Sequence, residues 1–249
     1  MSSVPFIGAP RGATHRKTIT VFVDKISKIS NLRGERLLDV GCGDGSFTIP
    51  LSENYNKVFG IDVQAPFLNT FQTTINGNDK FTILNMSAEE MAFDDNSFDT
   101  IMTIETIEHI PDLQKAAKEF YRVLKPGGEL VITCPNRLFP FENHGMRIGK
   151  KEFHTRIPLL PYLPFLHNKL SLARVFTVRE LDKLLLPVGF TKSKVDYIWP
   201  TFEHGGNIFS PLLRPLFSVM RRMEESNVRL FGTSILIRYS KKNNPVHFL

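Results

Sequence analysis

Cysteine is nearly absent. Only Cys42 and Cys134 occur in 249 residues. Two cysteines make no disulfide framework, and neither stands at metal-ligand spacing from another ligand. Both fall where strands are expected to end, so each reads as a small packed residue rather than a nucleophile. No apolar run approaches the length of a membrane span. No signal-peptide pattern opens the chain, so a reducing, cytoplasmic setting is the expectation. No internal repeat is visible.

What is present fits a soluble α/β protein. Hydrophobic residues make up 42% and charged residues 22% of the chain, an ordinary globular balance. The length suits one α/β domain with insertions or two small domains; one domain over residues 1–249 is the expectation. The net charge of +6 hides an asymmetry. Residues 1–133 carry −4 and residues 134–249 carry +10. A basic second half suits an anionic substrate, a membrane surface or a nucleic acid, and equally a solvated basic face.

The chain is organised around Leu37-Leu38-Asp39-Val40-Gly41-Cys42-Gly43-Asp44-Gly45-Ser46-Phe47. A short apolar run to Val40 reads as a buried strand. Three alternating glycines then turn the chain and leave no Cβ between a ligand and the backbone. Phe47, Ile49 and Leu51, with Ser46 as cap, read as a helix opening. Strand, glycine turn and helix start make a nucleotide-type pocket at the end of a parallel sheet. A dinucleotide fingerprint would place its third glycine at Ser46; here it stands at Gly45.

That D-x-G-x-G-x-G spacing resembles the first motif of the class I S-adenosylmethionine-dependent methyltransferases. More narrowly, it resembles the small-molecule enzymes of the ubiquinone and menaquinone biosynthesis kind. The resemblance implies S-adenosyl-L-methionine as cofactor. It lays the backbone of Gly41, Cys42, Gly43 and Gly45 along the methionine part and sets Asp39 at its amino group. The second strand, Lys57 to Asp62, ends in an acid 19 residues after Gly43, where a carboxylate can accept both ribose hydroxyls. Val63 would then pack on the adenine. Met86-Ser87-Ala88-Glu89-Glu90-Met91-Ala92-Phe93 resembles the family's G-D-A-E-x-L-P-F phrase. Ser87 stands where the family has an Asp for the adenine edge, and a hydroxyl bonds that edge more weakly than a carboxylate. Glu89 has a competing reading as an early helix acid. A fourth strand to Ile104 puts Thr103 and Ile104 along the cofactor. It runs into Glu105-Thr106-Ile107-Glu108-His109-Ile110-Pro111-Asp112, which again matches a family phrase, as does Leu124-Lys125-Pro126-Gly127-Gly128 before strand five.

The expected fold is a doubly wound, mostly parallel seven-stranded Rossmann-like sheet in the order 3-2-1-4-5-7-6. Right-handed crossovers on either side of the glycine turn order the earlier strands; the resemblance supplies the reversed last strand. Residues 30–133 form the cofactor-binding core. Residues 134–176 and 200–228 are insertions expected to build a cap on the substrate side. Pro158, Pro161 and Pro164, spaced by three, are expected to prevent a regular helix there. The apolar stretch around them suits a lid or a monotopic surface anchor, so peripheral membrane contact is one expectation. A helix from Thr177, capped by Thr177 with Glu180 three residues on, precedes strand six, and Arg229 to Tyr239 is expected to close the sheet.

The resemblance implies methyl transfer to a small molecule, O- or C-methylation before N-methylation. A hydroxyl acceptor benefits from a base, and His109, His144, His154 and His204 are the candidates. Arg147, Lys150 and Arg156 could pair with an anionic or polar-headed acceptor. Asp94 and Asp95 lie before strand four rather than at a strand end, so no metal is expected. No nucleic-acid recognition module is evident. Two readings from other classes remain: a non-catalytic interaction protein on the same fold, and a dinucleotide-dependent oxidoreductase, against which the glycine spacing argues.

Overall fold

The computed structural model describes residues 16–142, 144–153, 157–200 and 226–243. The chain opens with α1 (Arg16–Ile29). The core then runs β1 (Gly34–Val40), α2 (Thr48–Leu51), β2 (Tyr55–Asp62), α3 (Ala65–Ile75), β3 (Phe81–Asn85), β4 (Phe98–Ile104), α4 (Leu113–Val123) and β5 (Leu124–Pro135). The insertion between residues 134 and 176 contributes β6 (Phe141–Glu142), β7 (Met146–Ile148), β8 (Lys151–Phe153), β9 (Ile157–Pro158) and α5 (Pro164–Leu170). It is followed by α6 (Val178–Leu185), β10 (Phe190–Ile198) and β11 (Ser234–Lys241).

The seven-stranded sheet has the order β3-β2-β1-β4-β5-β11-β10. The first five strands pair in parallel. β11 runs antiparallel to both β5 and β10. The expected order and the reversed last strand are both borne out. Leu37, Leu38, Asp39 and Val40 in β1 are all buried, as a central parallel strand covered on both faces requires. One face packs Leu37, Val58, Met102, Val131 and Leu236 against Phe22 and Ile26 of α1. The other packs Leu38, Ile101, Ile132 and Ile237 against Phe120 of α4 and Leu181 and Leu185 of α6. β1 lies between β2 and β4, so the chain's direction of winding reverses there. The crevice at the carboxyl ends of β1 and β4 is where such sheets take ligands. Among the described residues no helix is long and apolar enough to cross a membrane.

Three local expectations need correction. Ser46 does not cap a helix. α2 is a single turn whose N-cap is Phe47, without a side-chain cap bond, and Ser46 N instead donates to Asp44 Oδ1 (3.0 Å). The prolines do not exclude a helix throughout 157–166: α5 begins at Pro164 itself, because the first helical position needs no N–H. The closing strand begins at Ser234, after a 3-10 turn over Asn227–Phe231. The capping box of α6 forms as expected. Thr177 Oγ1 accepts from Glu180 N (3.3 Å), and Glu180 Oε2 accepts from Thr177 N (2.7 Å). Residues 201–225, most of the second insertion, lie outside the described residues, as do His154, Arg156 and His204.

The two serine/threonine positions give a paired test. Thr177→Ala should cost about 1 kcal/mol of unfolding free energy in denaturant titration. Ser46→Ala should stay within about 0.5 kcal/mol of wild type. Equal losses at both positions would contradict the capping assignment.

Candidate functional site

The pocket is built where β1 turns. Gly41, Gly43 and Gly45 all have positive φ, at 76°, 53° and 80°. At Gly41 an added Cβ would lie 2.1 Å from the Thr106 methyl; at Gly45 it would lie 2.4 Å from the Phe71 ring. Those two glycines let β4's loop and α3 close on the turn. Gly43 is different: nothing lies within 4 Å of the place a Cβ would take. Its open side faces space that a ligand can fill.

Two carboxylates flank the turn. Asp62 closes β2, with Oδ2 accepting from Gly43 N (3.0 Å) and Oδ1 from Gln64 N (2.9 Å). Burial raises its pKa, against the pull of those backbone N–H groups. Each oxygen keeps a lone pair for a vicinal diol, and the two backbone bonds fix its rotamer. Asp39 is only 2% exposed. Thr48 Oγ1 donates to its Oδ2 (2.5 Å), while Oδ1 is buried without a hydrogen-bond partner. Burial pushes this carboxyl up to about 7; the Thr48 bond opposes the rise and the Asp62 charge adds to it. A buried carboxylate oxygen with no donor is costly, and a cationic ammonium would satisfy it. Cys42 is buried, and burial followed by the Asp39 and Asp62 charges drives its thiol pKa up. It is a packed residue, not a nucleophile.

The other expected cofactor residues spread along the rim. Val63 is 65% exposed, so its apolar face is available to a base. Ser87 Oγ donates to Glu89 Oε2 (3.1 Å) and accepts from Glu89 N (3.2 Å). Glu89 does not start a helix of its own. Its Oε1 accepts from the backbone N of Asp112 (2.5 Å), the N-cap of α4, so its charge serves that helix instead. Ala88 is 9% exposed, while Thr103 and Ile104 are buried in β4.

The segment after β4 carries the second half of the site. Glu105 adopts φ 50°, a left-handed conformation that a non-glycine residue holds only when its surroundings impose it. Its backbone N donates to Thr133 O (3.0 Å). Thr106 Oγ1 donates to Gly41 O (3.3 Å), bracing the glycine turn. His109 is pulled down to about 4, chiefly by burial, then by the His144 and Arg174 charges; it is neutral at physiological pH and a weak base. Arg174 donates from Nη2 to Pro111 O (3.2 Å) and from Nη1 to Ile110 O, which ties the end of the first insertion to this loop.

His144 meets His109 edge to face, with ring centroids 6.3 Å apart. Its Nδ1 lies 3.3 Å from Glu142 Oε1, and its backbone N donates to the same oxygen (2.6 Å). The other carboxylate oxygen, Oε2, lies 2.5 Å from His167 Nε2. Glu142 and His167 are both buried. Burial alone would raise the Glu142 carboxyl, but hydrogen bonds from His144 and His167 outweigh it and hold the group at about 2. Glu142 is therefore ionised and fixes the orientation of His144. Glu105, Glu108 and His144 also bring three atoms able to ligate a metal within 4.8 Å of one another. The carboxylate pair adjacent in sequence, Asp94 and Asp95, is not part of this group, whose members are separated by up to 39 positions and carry no ligand spacing. Among the expected acceptor-binding residues, Arg147 is paired with Glu152 (Nε at 3.0 Å, Nη2 at 2.5 Å) within the β7–β8 hairpin, and Lys150 is exposed at its turn.

A glycine turn open at Gly43, flanked by the strand-end Asp62 and the unpartnered Asp39 oxygen, has the groups that could hold a nucleoside carrying an amino acid. Known proteins agree. The family model described as a methyltransferase domain matches residues 38–132. A ubiquinone biosynthesis O-methyltransferase of Pseudomonas fluorescens is 32% identical over 120 residues, 46% of this chain and 50% of the relative. A demethylmenaquinone methyltransferase of Staphylococcus epidermidis is 34% identical over 177 residues, 70% of this chain and 62% of the relative. The chain thus spans only half to three fifths of these relatives. The crystal structure of an S-adenosylmethionine-dependent methyltransferase from Mesorhizobium loti superposes with a TM-score of 0.60 at 17% identity, covering 92% of this chain and 99% of that one; it speaks to the fold. Residues 38–132 are thus a methyltransferase domain, and S-adenosyl-L-methionine is the cofactor that such a domain implies.

The residues present fit that cofactor. The unpartnered Asp39 oxygen suits its amino group, the open side of Gly43 its methionine part and Asp62 its ribose. The raised Asp39 pKa has two measurable consequences. In the free protein the protonated carboxyl contributes stability that is fully present below its ordinary value of 3.8 and is lost as pH rises through about 7. An ammonium placed beside it favours the carboxylate, so binding S-adenosylhomocysteine at pH 6 to 7 should release protons. Calorimetry in buffers of different ionisation enthalpy measures this, and Asp39→Asn should abolish the release. Asp62→Ala should weaken the same ligand about 10- to 100-fold. Unchanged affinity in Asp62→Ala would overturn the ribose assignment.

Proposed function

We propose that the protein transfers a methyl group from S-adenosyl-L-methionine to a small-molecule acceptor, at oxygen or carbon rather than nitrogen. The observation that carries this reading is the buried, unpartnered oxygen of Asp39 beside the open glycine turn. Bound there, the cofactor would supply an electrophilic methyl, so the chain's own residues need only align the acceptor, exclude water and take a proton. A dinucleotide reading is disfavoured by Ser46 at the third-glycine position. The relatives' names, O-methyltransferase and demethylmenaquinone methyltransferase, support an aromatic or quinone-like acceptor with an apolar body.

In this reading His144 is the base for a hydroxyl acceptor. Glu142 lies against its Nδ1 (3.3 Å) and orients the ring, so Nε2 is the nitrogen offered to the substrate. His109, held neutral and low, packs against it rather than acting as the base. Residues 134–176 act as a cap over the donor pocket, joined to the core by Arg174; residues 200–228 belong to the same proposed cap. Lys150, Arg147 and Arg156 would meet a polar or anionic head. Peripheral membrane contact belongs to the same proposal, because an acceptor with an apolar body partitions into lipid. A second reading has its own support: Glu105, Glu108 and His144 could share a divalent cation that binds the acceptor oxygen.

Transfer of labelled methyl from the cofactor into the small-molecule fraction of a cell extract tests both readings. His144→Asn should lower the rate about 100- to 10,000-fold while S-adenosylhomocysteine still binds within a few-fold. Deleting residues 141–168 should likewise abolish transfer and spare cofactor binding. Loss of transfer on chelation, restored by a divalent cation, would favour the metal reading. Full activity of the deletion would end the cap proposal.

A further inference from the structure

The first insertion exposes an apolar surface that the other described residues leave uncovered. Leu159, Tyr162, Leu163, Phe165 and Leu166 are 58%, 41%, 53%, 85% and 40% exposed. A soluble surface does not ordinarily gather five large apolar side chains within eight residues. The segment is nevertheless held firmly. Leu160 and Pro161 are buried beneath it. Tyr162 Oη donates to Leu138 O (2.7 Å), and Leu159 N donates to Pro140 O (2.6 Å). At its far end His167 is buried against Glu142. Leu159 sits at φ 61°, so the chain turns sharply there with an isobutyl group facing out.

The surroundings are basic. Between residues 134 and 176 the sequence has seven Lys and Arg against two glutamates. Lys169 on α5 and Lys150 and Lys151 on the β7–β8 turn are exposed. The hairpin is bridged to the end of α5 through Met146 and Ser171. Apolar side chains flanked by cations match an anionic lipid surface, whose headgroups attract lysine while the acyl boundary takes the rings and leucines.

We propose that residues 159–166 are a monotopic docking surface for an anionic phospholipid bilayer. They would dock the protein without crossing the membrane and set the donor pocket against the lipid phase. This rests on the methyl-transfer reading for its purpose, since an acceptor dissolved in lipid then has a short route to the pocket. The route has a physical link: Glu142 holds His167, at the end of the docking segment, and His144, at the pocket, through its two oxygens. Seating the segment in lipid and orienting the base therefore draw on one carboxylate.

Flotation of the full chain with vesicles tests this. The protein should float with mixed phosphatidylcholine–phosphatidylglycerol vesicles, and less with phosphatidylcholine alone or at high salt. Leu163→Ser with Phe165→Ser should reduce the bound fraction about tenfold or more. Lys151→Glu with Lys169→Glu should remove the preference for anionic vesicles. Calorimetric binding of S-adenosylhomocysteine should be unchanged in both variants, which confirms that they fold. Equal flotation of wild type and the Leu163/Phe165 variant overturns the proposal. So does a concentration-dependent dimer dissolved by the same substitutions in the absence of lipid, which would make a second copy the occupant. If the wild type floats but binds no S-adenosylhomocysteine, the methyltransferase reading fails and the docking surface stands.

Discussion

The structure depends on a carboxylate placed where water cannot reach it. Asp39 sits at the carboxyl end of the central strand with one oxygen bound to Thr48 and the other bound to nothing. The one-turn helix α2 is there to present that threonine, which is itself fully buried. Closing the turn over Asp39 brings Thr106 and Phe71 so near Gly41 and Gly45 that no Cβ fits. The glycines are thus a packing requirement at two positions and an opening at the third. An unsatisfied buried charge is unfavourable for the free fold and favourable for a cation that fits. On the proposed reading, the residue that costs the free fold stability would be the one that rewards binding.

The insertion repeats this logic with opposite sign. Glu142 is as buried as Asp39 but fully partnered, by His144 on one oxygen and His167 on the other. Its carboxyl is held low where that of Asp39 is pushed high. Burial is common to both; the difference lies in the number of N–H donors within reach. One carboxylate is preorganised to orient neighbours; the other keeps an oxygen without a donor. Between them lies the loop from Glu105 to Asp112, tied to the core by Thr106 and to the insertion by Arg174.

Much of the core was legible in the sequence because its signals are local. Apolar runs of strand length, the alternating glycines and the spacing from Gly43 to Asp62 fix β1, β2 and the turn between them. With right-handed crossovers they also fix the order of the first five strands. Thr177 and Glu180 announced α6 for the same reason, since a capping box needs only four residues in a row. Ser46 misled because a lone serine before apolar residues is compatible with a turn as well as a cap, and Asp44 took its backbone N–H.

What the tertiary structure decided is everything that needs residues far apart in the chain. Glu142 and His167 lie 25 positions apart, and no periodicity links them. Glu105 and Glu108 meet His144 where the insertion returns to the loop after β4, a junction that Arg174 bonds. The sequence by itself determined a glycine-turn pocket at the switch point of a parallel sheet, because strand pattern and turn chemistry act over a few residues. It could not determine which histidines share Glu142, which side chains close on the glycine turn, or which apolar side chains stay outside. Those depend on which groups are buried together, and burial is a property of the folded chain.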